Sequence, residues 1–153
     1  MLFRKNCGAR PTPSCYNQPM STILVPIDFS EETPEVIECA AMLARRNRSE
    51  LVLLHVAPPG LDSSRNLAVA DDAGDTVDKL GRLERYLRED GFQVSTTMRA
   101  GEPAREIVEF GGSINADCII MGRHDHAGSR TGPMSRVTSS VESTARCTVV
   151  AVP

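Results

Sequence analysis

The chain has 153 residues, 41% of them apolar, and a net charge of -3, enough for one domain with one ordinary core. A pI of about 5.6 argues against a general nucleic-acid binder, which needs a basic face, and no stretch is long and apolar enough to span a membrane. The five cysteines, Cys7, Cys15, Cys39, Cys118 and Cys147, are odd in number and form no CxxC pair; that argues against a disulfide framework or a zinc site and fits a reducing, cytoplasmic setting.

Residues 1–20 carry Arg4 and Lys5 with no apolar segment behind them, then Pro11, Pro13 and Pro19. They read as a flexible extension rather than a signal peptide, which leaves 21–153 as the domain. TILVPI (22–27) is a short apolar run and predicts a buried strand. Thr33 then suits a helix N-cap, Pro34 the first helical position and Glu35 the first turn. Val36, Ala40, Leu43 and Ala44 recur at helical spacing. That helix should end near Arg46, with Arg45, Arg46 and Arg48 as a solvated cationic end that suits the dipole.

LVLLHV (51–56) predicts a second buried strand, stopped by Pro58, Pro59 and Gly60. Residues 60–75, with Asp71, Asp72 and Asp75, read as a solvated loop. Val77, Leu80, Leu83, Tyr86 and Leu87 predict a helix of roughly 14 residues, ended by Gly91. QVSTTM (93–98) alternates at period two and reads as a third strand nearer an edge. Pro103 marks the next helix start, with Ala104, Ile107 and Val108 facing inward. DCIIM (117–121) predicts a fourth strand and TVVAV (148–152) a fifth.

Apolar strands alternating with amphipathic helices indicate an α/β domain with a parallel sheet covered on both faces. With strand order 3-2-1-4-5, strands 1 and 4 would meet at a topological switch point, where ligands of open α/β sheets bind. Asp28 follows strand 1 and Gly122 follows strand 4.

The segment MGRHDHAGSRTGPMSRVTSSV (121–141) therefore matters most. Gly122, Gly128 and Gly132 allow close backbone approach, Arg123, Arg130 and Arg136 could pair with phosphate oxygens, and Ser135, Thr138, Ser139 and Ser140 are candidate caps or hydroxyl donors. Neither GxxxxGK[ST] nor GxGxxG is present. His124-Asp125-His126 is a weak metal signal without further ligands. His55, inside a strand, reads as a satisfied core histidine. No GxSxG elbow and no acid/base pair specifies an enzyme, so neither a catalytic residue nor a metal site is assigned.

In order, ILVPIDFSEE, LVLLHV, RAGEPAREIVE, ADCIIMGRHDHAG and SVESTARCTVVAVP resemble the universal stress protein family over residues 21–153. The resemblance implies an open, doubly wound five-stranded parallel sheet in the order 3-2-1-4-5, and a homodimer through the last strand. Nucleotide-binding members carry Gly-x-x-Gly, nine residues, then Gly-Ser/Thr. Laid on this chain, Gly122 matches the first glycine, Asp125 stands at the second, Ser135 at the third and Arg136 at the Ser/Thr. An aspartate there brings negative charge to the path of phosphates, while Arg136 could either hold a phosphate or fill the site.

Asp28 matches the family's acidic residue near nucleotide and metal. Pro26, Val56 and Met121 fall where the family lines the adenine and ribose pocket. Gly101 falls in a bordering loop, and Gly128 resembles another frequent loop glycine. The resemblance thus implies a cytoplasmic stress-response protein that acts by dimerisation and protein interaction, with a degenerate nucleotide loop. The alternative is a member that binds ATP with Mg²⁺ as a sensor or slow ATPase. A redox or flavin-binding α/β domain is a further class. TVVAV would offer an exposed edge to a second copy, and a proline at Val150 would remove a backbone donor from it.

Overall fold

Ile23, Val25 and Ile27 pack on one side of a sheet and Leu24 on the other, all of them buried. A strand buried on both faces has no polar side to show, which is why it reads as a continuous apolar run. The computed structural model describes residues 22–58, 67–124 and 134–153, with side chains described throughout these except at 67–73; the expected extension at 1–20 lies outside them.

The elements are β1 (Thr22–Pro26), α1 (Thr33–Asn47), β2 (Glu50–Ala57), α2 (Leu67–Glu89), β3 (Val94–Ala100), α3 (Pro103–Ser113), β4 (Cys118–Gly122), α4 (Arg136–Thr144) and β5 (Thr148–Val152). They form one five-stranded sheet in the order β3-β2-β1-β4-β5, with every neighbouring pair parallel. This is the doubly wound architecture expected from the alternating pattern. Ile23, Val25, Leu51, Leu53, Cys118 and Ile120 meet α1 and α2 residues such as Val36, Ala40, Leu80 and Leu87 on one face. Leu24, Val52, Leu54, Ile119 and Met121 meet Ala104 and Ile107 of α3 and Val141 of α4 on the other.

Two expectations need correction. Thr33 is the first residue of α1, not its cap; Glu32 holds the cap position and makes no side-chain cap bond. The other concerns the stretch read as a loop through residue 75. α2 begins at Leu67, so Asp71, Asp72 and Asp75 are helical. Ala68, Ala70 and Ala73 supply strong helix propensity without an apolar stripe for periodicity to detect, and Asp75 pairs with Lys79 one turn on at 2.5 Å. The end of α1 is as expected: it runs to Asn47, with Arg45 and Arg46 in the last turn, and Arg48 caps it in the left-handed conformation at φ 55°.

Candidate functional site

The β1–β4 pairing runs only through Ile23↔Cys118 and Leu24↔Ile119. Beyond it Ile27 donates its N–H to Leu54 O at 2.8 Å, so β1 stays with β2 while the β1–β4 seam opens. Pro26, at the parting, has no N–H to offer β4. The opening is a cleft of about 220 Å³ at the carboxyl ends of the strands, the place where open α/β sheets hold ligands. Its walls are mostly apolar: Pro26, Leu54, Val56 and Met121 from the strands, Ile107 from α3 and Val137 from α4. Asp28, Ser30, Thr33, His124, Ser135 and Thr138 bring polar groups.

Of the residues singled out in the sequence, Pro26, Asp28, Val56, Met121, Gly122 and Ser135 line this one cleft. Gly101 and Arg136 are not among its lining residues. Gly101 has φ +154° and packs against the Glu106 side chain, while Arg136 is an exposed first residue of α4. Gly128 and Asp125 lie outside the described residues. Asp28 accepts the Ser30 N–H at 3.0 Å and so holds the loop that enters α1. His55 is only partly buried, and its Nδ1 lies 2.8 Å from Ile27 O. A carbonyl only accepts, so this nitrogen carries the proton.

Glu32 is the residue that sequence reading missed. Its carboxylate reaches across the switch point to the loop after β4. Oε2 accepts the His124 backbone N–H at 3.0 Å and Oε1 takes the His124 Nδ1 at 2.6 Å. Both residues are about 5% exposed. A Cβ on Gly122 would collide with Oε2, so the glycine of the expected phosphate loop makes room for an internal carboxylate. The two partners are 92 positions apart, and no local spacing announces them. The one available hint was Pro34: at the first turn of a helix it places Glu32 beside the helix start.

The backbone amides at this end of the cleft already have partners. Arg123 N–H donates to Val152 O at 2.8 Å, and Ser135 N–H donates to Arg123 O at 2.9 Å. Thr138 N–H donates to the Ser135 hydroxyl at 3.1 Å, the ordinary N-cap of α4. The Thr138 hydroxyl in turn donates to Gly122 O at 2.8 Å. Thr33 Oγ1, by contrast, is buried with no hydrogen-bond partner. Among the described residues no group of His, Cys, Asp and Glu could hold a metal ion. No described helix is long and apolar enough to cross a membrane.

Away from the cleft, Glu106 of α3 is buried and bridges Arg99 Nε at 2.7 Å and Arg105 at 3.2 Å. Chiefly through the Arg99 hydrogen bond, its carboxyl is held below the usual carboxylate range.

Residues 20–153 match the description of the universal stress protein family. The chain belongs to that family. The universal stress protein Sll1654 of Synechocystis is 31% identical over 136 residues, covering 86% of this chain and 85% of the relative. The Bacillus subtilis universal stress protein YxiE is 25% identical over 143 residues, covering 85% of this chain and 97% of the relative. Among solved structures, that of hypothetical protein MJ0577 superposes with a TM-score of 0.77 at 24% identity, over 88% of this chain and 96% of that one. Universal stress protein UspA from Lactobacillus plantarum gives 0.75 at 20% identity, over 90% and 100%. At those identities the structures support the fold. One universal stress protein neighbour was solved with cAMP, and another, from Archaeoglobus fulgidus, with dAMP.

Proposed function

We propose that this universal stress protein works in the cytoplasm in stress response, as a homodimer that acts by protein interaction rather than turnover. The observation that carries the reading is the free edge of β5. Among the described residues this strand ends the sheet and pairs only with β4, and its Val149, Val150 and Val152 are buried against the chain's own core. An ordered, apolar strand with one unpaired edge is a template for another copy. Sedimentation velocity on the full chain, over a dilution series, tests this. The expected result is a dimer mass that dissociates on dilution; a monomer at the highest concentration would sink the reading.

A second reading is a nucleotide site in the β1–β4 cleft. It is favoured by the convergence there of Pro26, Asp28, Val56, Met121, Gly122 and Ser135, and by the cAMP and dAMP complexes of neighbours. ATP with Mg²⁺ would need a cradle for its phosphates. The described residues fit that part poorly. The amides of Arg123, His124, Ser135 and Thr138 are spent within the protein, and no Lys or Arg is among the described residues that line the cleft. Titration calorimetry with MgATP tests this reading directly; saturable micromolar binding would establish it.

A further inference from the structure

We propose that the outer face of α2 is a second self-association surface, on which two copies of this chain pair helix against helix, antiparallel. It is separate from the β5 edge and does not rest on the dimer reading.

α2 carries two interior glycines, Gly74 and Gly81. A glycine inside a helix costs stability relative to alanine, and nothing described in this chain requires either one. A Cβ at either position meets no atom within 4 Å, and neither glycine has a positive φ. At Gly111 and Gly122, by contrast, the chain itself takes the room: a Cβ would press on Leu24 and Ile119 at the first, and on Glu32 at the second. The room at Gly74 and Gly81 therefore serves something outside the chain. Spaced three and four residues apart, Gly74, Val77 and Gly81 share one side of the helix. Val77 is 54% exposed and stands between them as an apolar knob. Gly81 opens a shallow hollow bordered by Glu84, Arg85, Arg88 and Glu89.

Charge decides the occupant. Along the outer face, exposed Asp75 and Asp78 precede exposed Arg82 and Arg85. Asp78, Arg82 and Arg85 pair with nothing among the described residues. The helix dipole favours such charges only in the terminal turns, and α2 runs from Leu67 to Glu89, so the dipole does not account for these four. The pattern is self-complementary. A two-fold axis crossing a helix pair at the level of Lys79 sets Val77 of each copy over Gly81 of the other. The same axis brings Asp75 and Asp78 against Arg82 and Arg85 of the second copy. That is an isologous contact, and the glycines allow the axes to approach at the short end of the usual 8–10 Å or so. The face is open to a second copy. Glu84 accepts the Thr96 hydroxyl of β3 at 2.9 Å, while the other flank of α2 is tied to α1 by Arg45 and Asp90 at 2.7 Å. The seam thus lies on the β3 side, at the opposite edge of the sheet from β5, and both surfaces can be occupied at once.

The test is sedimentation of the full chain over a concentration series, as wild type, as Asp78→Arg, as Arg82→Glu, and as an equimolar mixture of the two variants. Wild type should show an association step that weakens in roughly 1 M salt. Each variant alone sets like charges face to face twice in every pair and should weaken that step at least about tenfold. The mixture should recover it to within about threefold of wild type, because in a mixed pair each reversed charge meets its opposite. Misfolding of either variant cannot produce that recovery. Gly81→Gln should fill the hollow and weaken the same step while raising the melting temperature, since glutamine is the better helix former; a purely internal role for Gly81 would not move the two in opposite directions. A mixture no tighter than the separate variants overturns the proposal, as does a wild-type chain with no salt-sensitive step, and the seam would then belong to a different protein's helix. None of these substitutions touches β5. A β5 contact keeps its strength in all four samples, so failure of one surface is recognised apart from failure of the other.

Discussion

Gly122 and Glu32 share one space: the carboxylate Oε2 lies where a Gly122 side chain would begin, and the Glu32 Cβ is 3.5 Å from that point. The glycine is needed for room, because its φ lies outside the left-handed region. Glu32 cannot swing away cheaply, since it is buried and tied twice to His124. Gly122→Ala should therefore destabilise the protein by about 1–3 kcal/mol in urea unfolding. In a double-mutant cycle with Glu32→Ala, much of that cost should vanish, because the colliding group is gone. Simple additivity of the two substitutions would show that the contact is not what limits this position.

The order of elements was legible because its signal is local. β1, β2 and β4 are buried on two faces and leave unbroken apolar runs, while α1 and α3 keep a one-sided stripe. The first turns of α2 were not legible, since alanine and aspartate carry propensity without periodicity. The cleft was legible in part. Asp28 and Gly122 follow strands 1 and 4 and are placed by topology, whereas Pro26, Val56 and Met121 are expected only through the family resemblance; all line the cleft. The Glu32–His124 pair beside Gly122 was not legible, because it joins positions with no sequence proximity. Gly101, expected in a loop bordering the crevice, packs against the Glu106 side chain.

Glu106 should make stability sensitive to acid. Its carboxyl is held below the ordinary range, first by the hydrogen bond from Arg99. A group with a depressed folded value stabilises above its unfolded pKa, about 4.3 for glutamate, and loses that contribution as pH falls through the folded value. Unfolding free energies of wild type and Glu106→Gln should thus differ by a constant amount above about pH 5 and converge below about pH 4. A difference that stays flat through the acid range would mean that the two arginines do little for the charged form.

The buried cysteine should be chemically silent. Burial pushes the Cys118 thiol up to about 12, with nearby Cys147, Cys39 and Asp117 adding to it, and the Cys39 thiol is raised by burial too. Thiolate is the reactive form. In native protein at pH 8, iodoacetamide should leave Cys118 unmodified over hours, while the unfolded chain should lose that protection. Peptide mapping by mass spectrometry reads the outcome; rapid native labelling of Cys118 would mean that β4 opens far more readily than its burial implies.

The dimer edge can be tested at one atom. Arg123 donates its N–H to Val152 O, so the Val152 backbone groups point at β4. Strand alternation then turns those of Val150 the same way and those of Val149 and Ala151 outward. The proline at Val150 expected from the sequence would break the chain's own ladder with β4. Ala151 is the better position, because it is only partly buried and its N–H faces the free edge, where proline is tolerated. Ala151→Pro should keep the circular dichroism spectrum of the wild type while weakening dimerisation by at least about tenfold, or 1.4 kcal/mol, in sedimentation. Val150→Pro should instead lower the melting temperature. If Ala151→Pro dimerises as well as wild type, β5 is not the surface on which two copies meet.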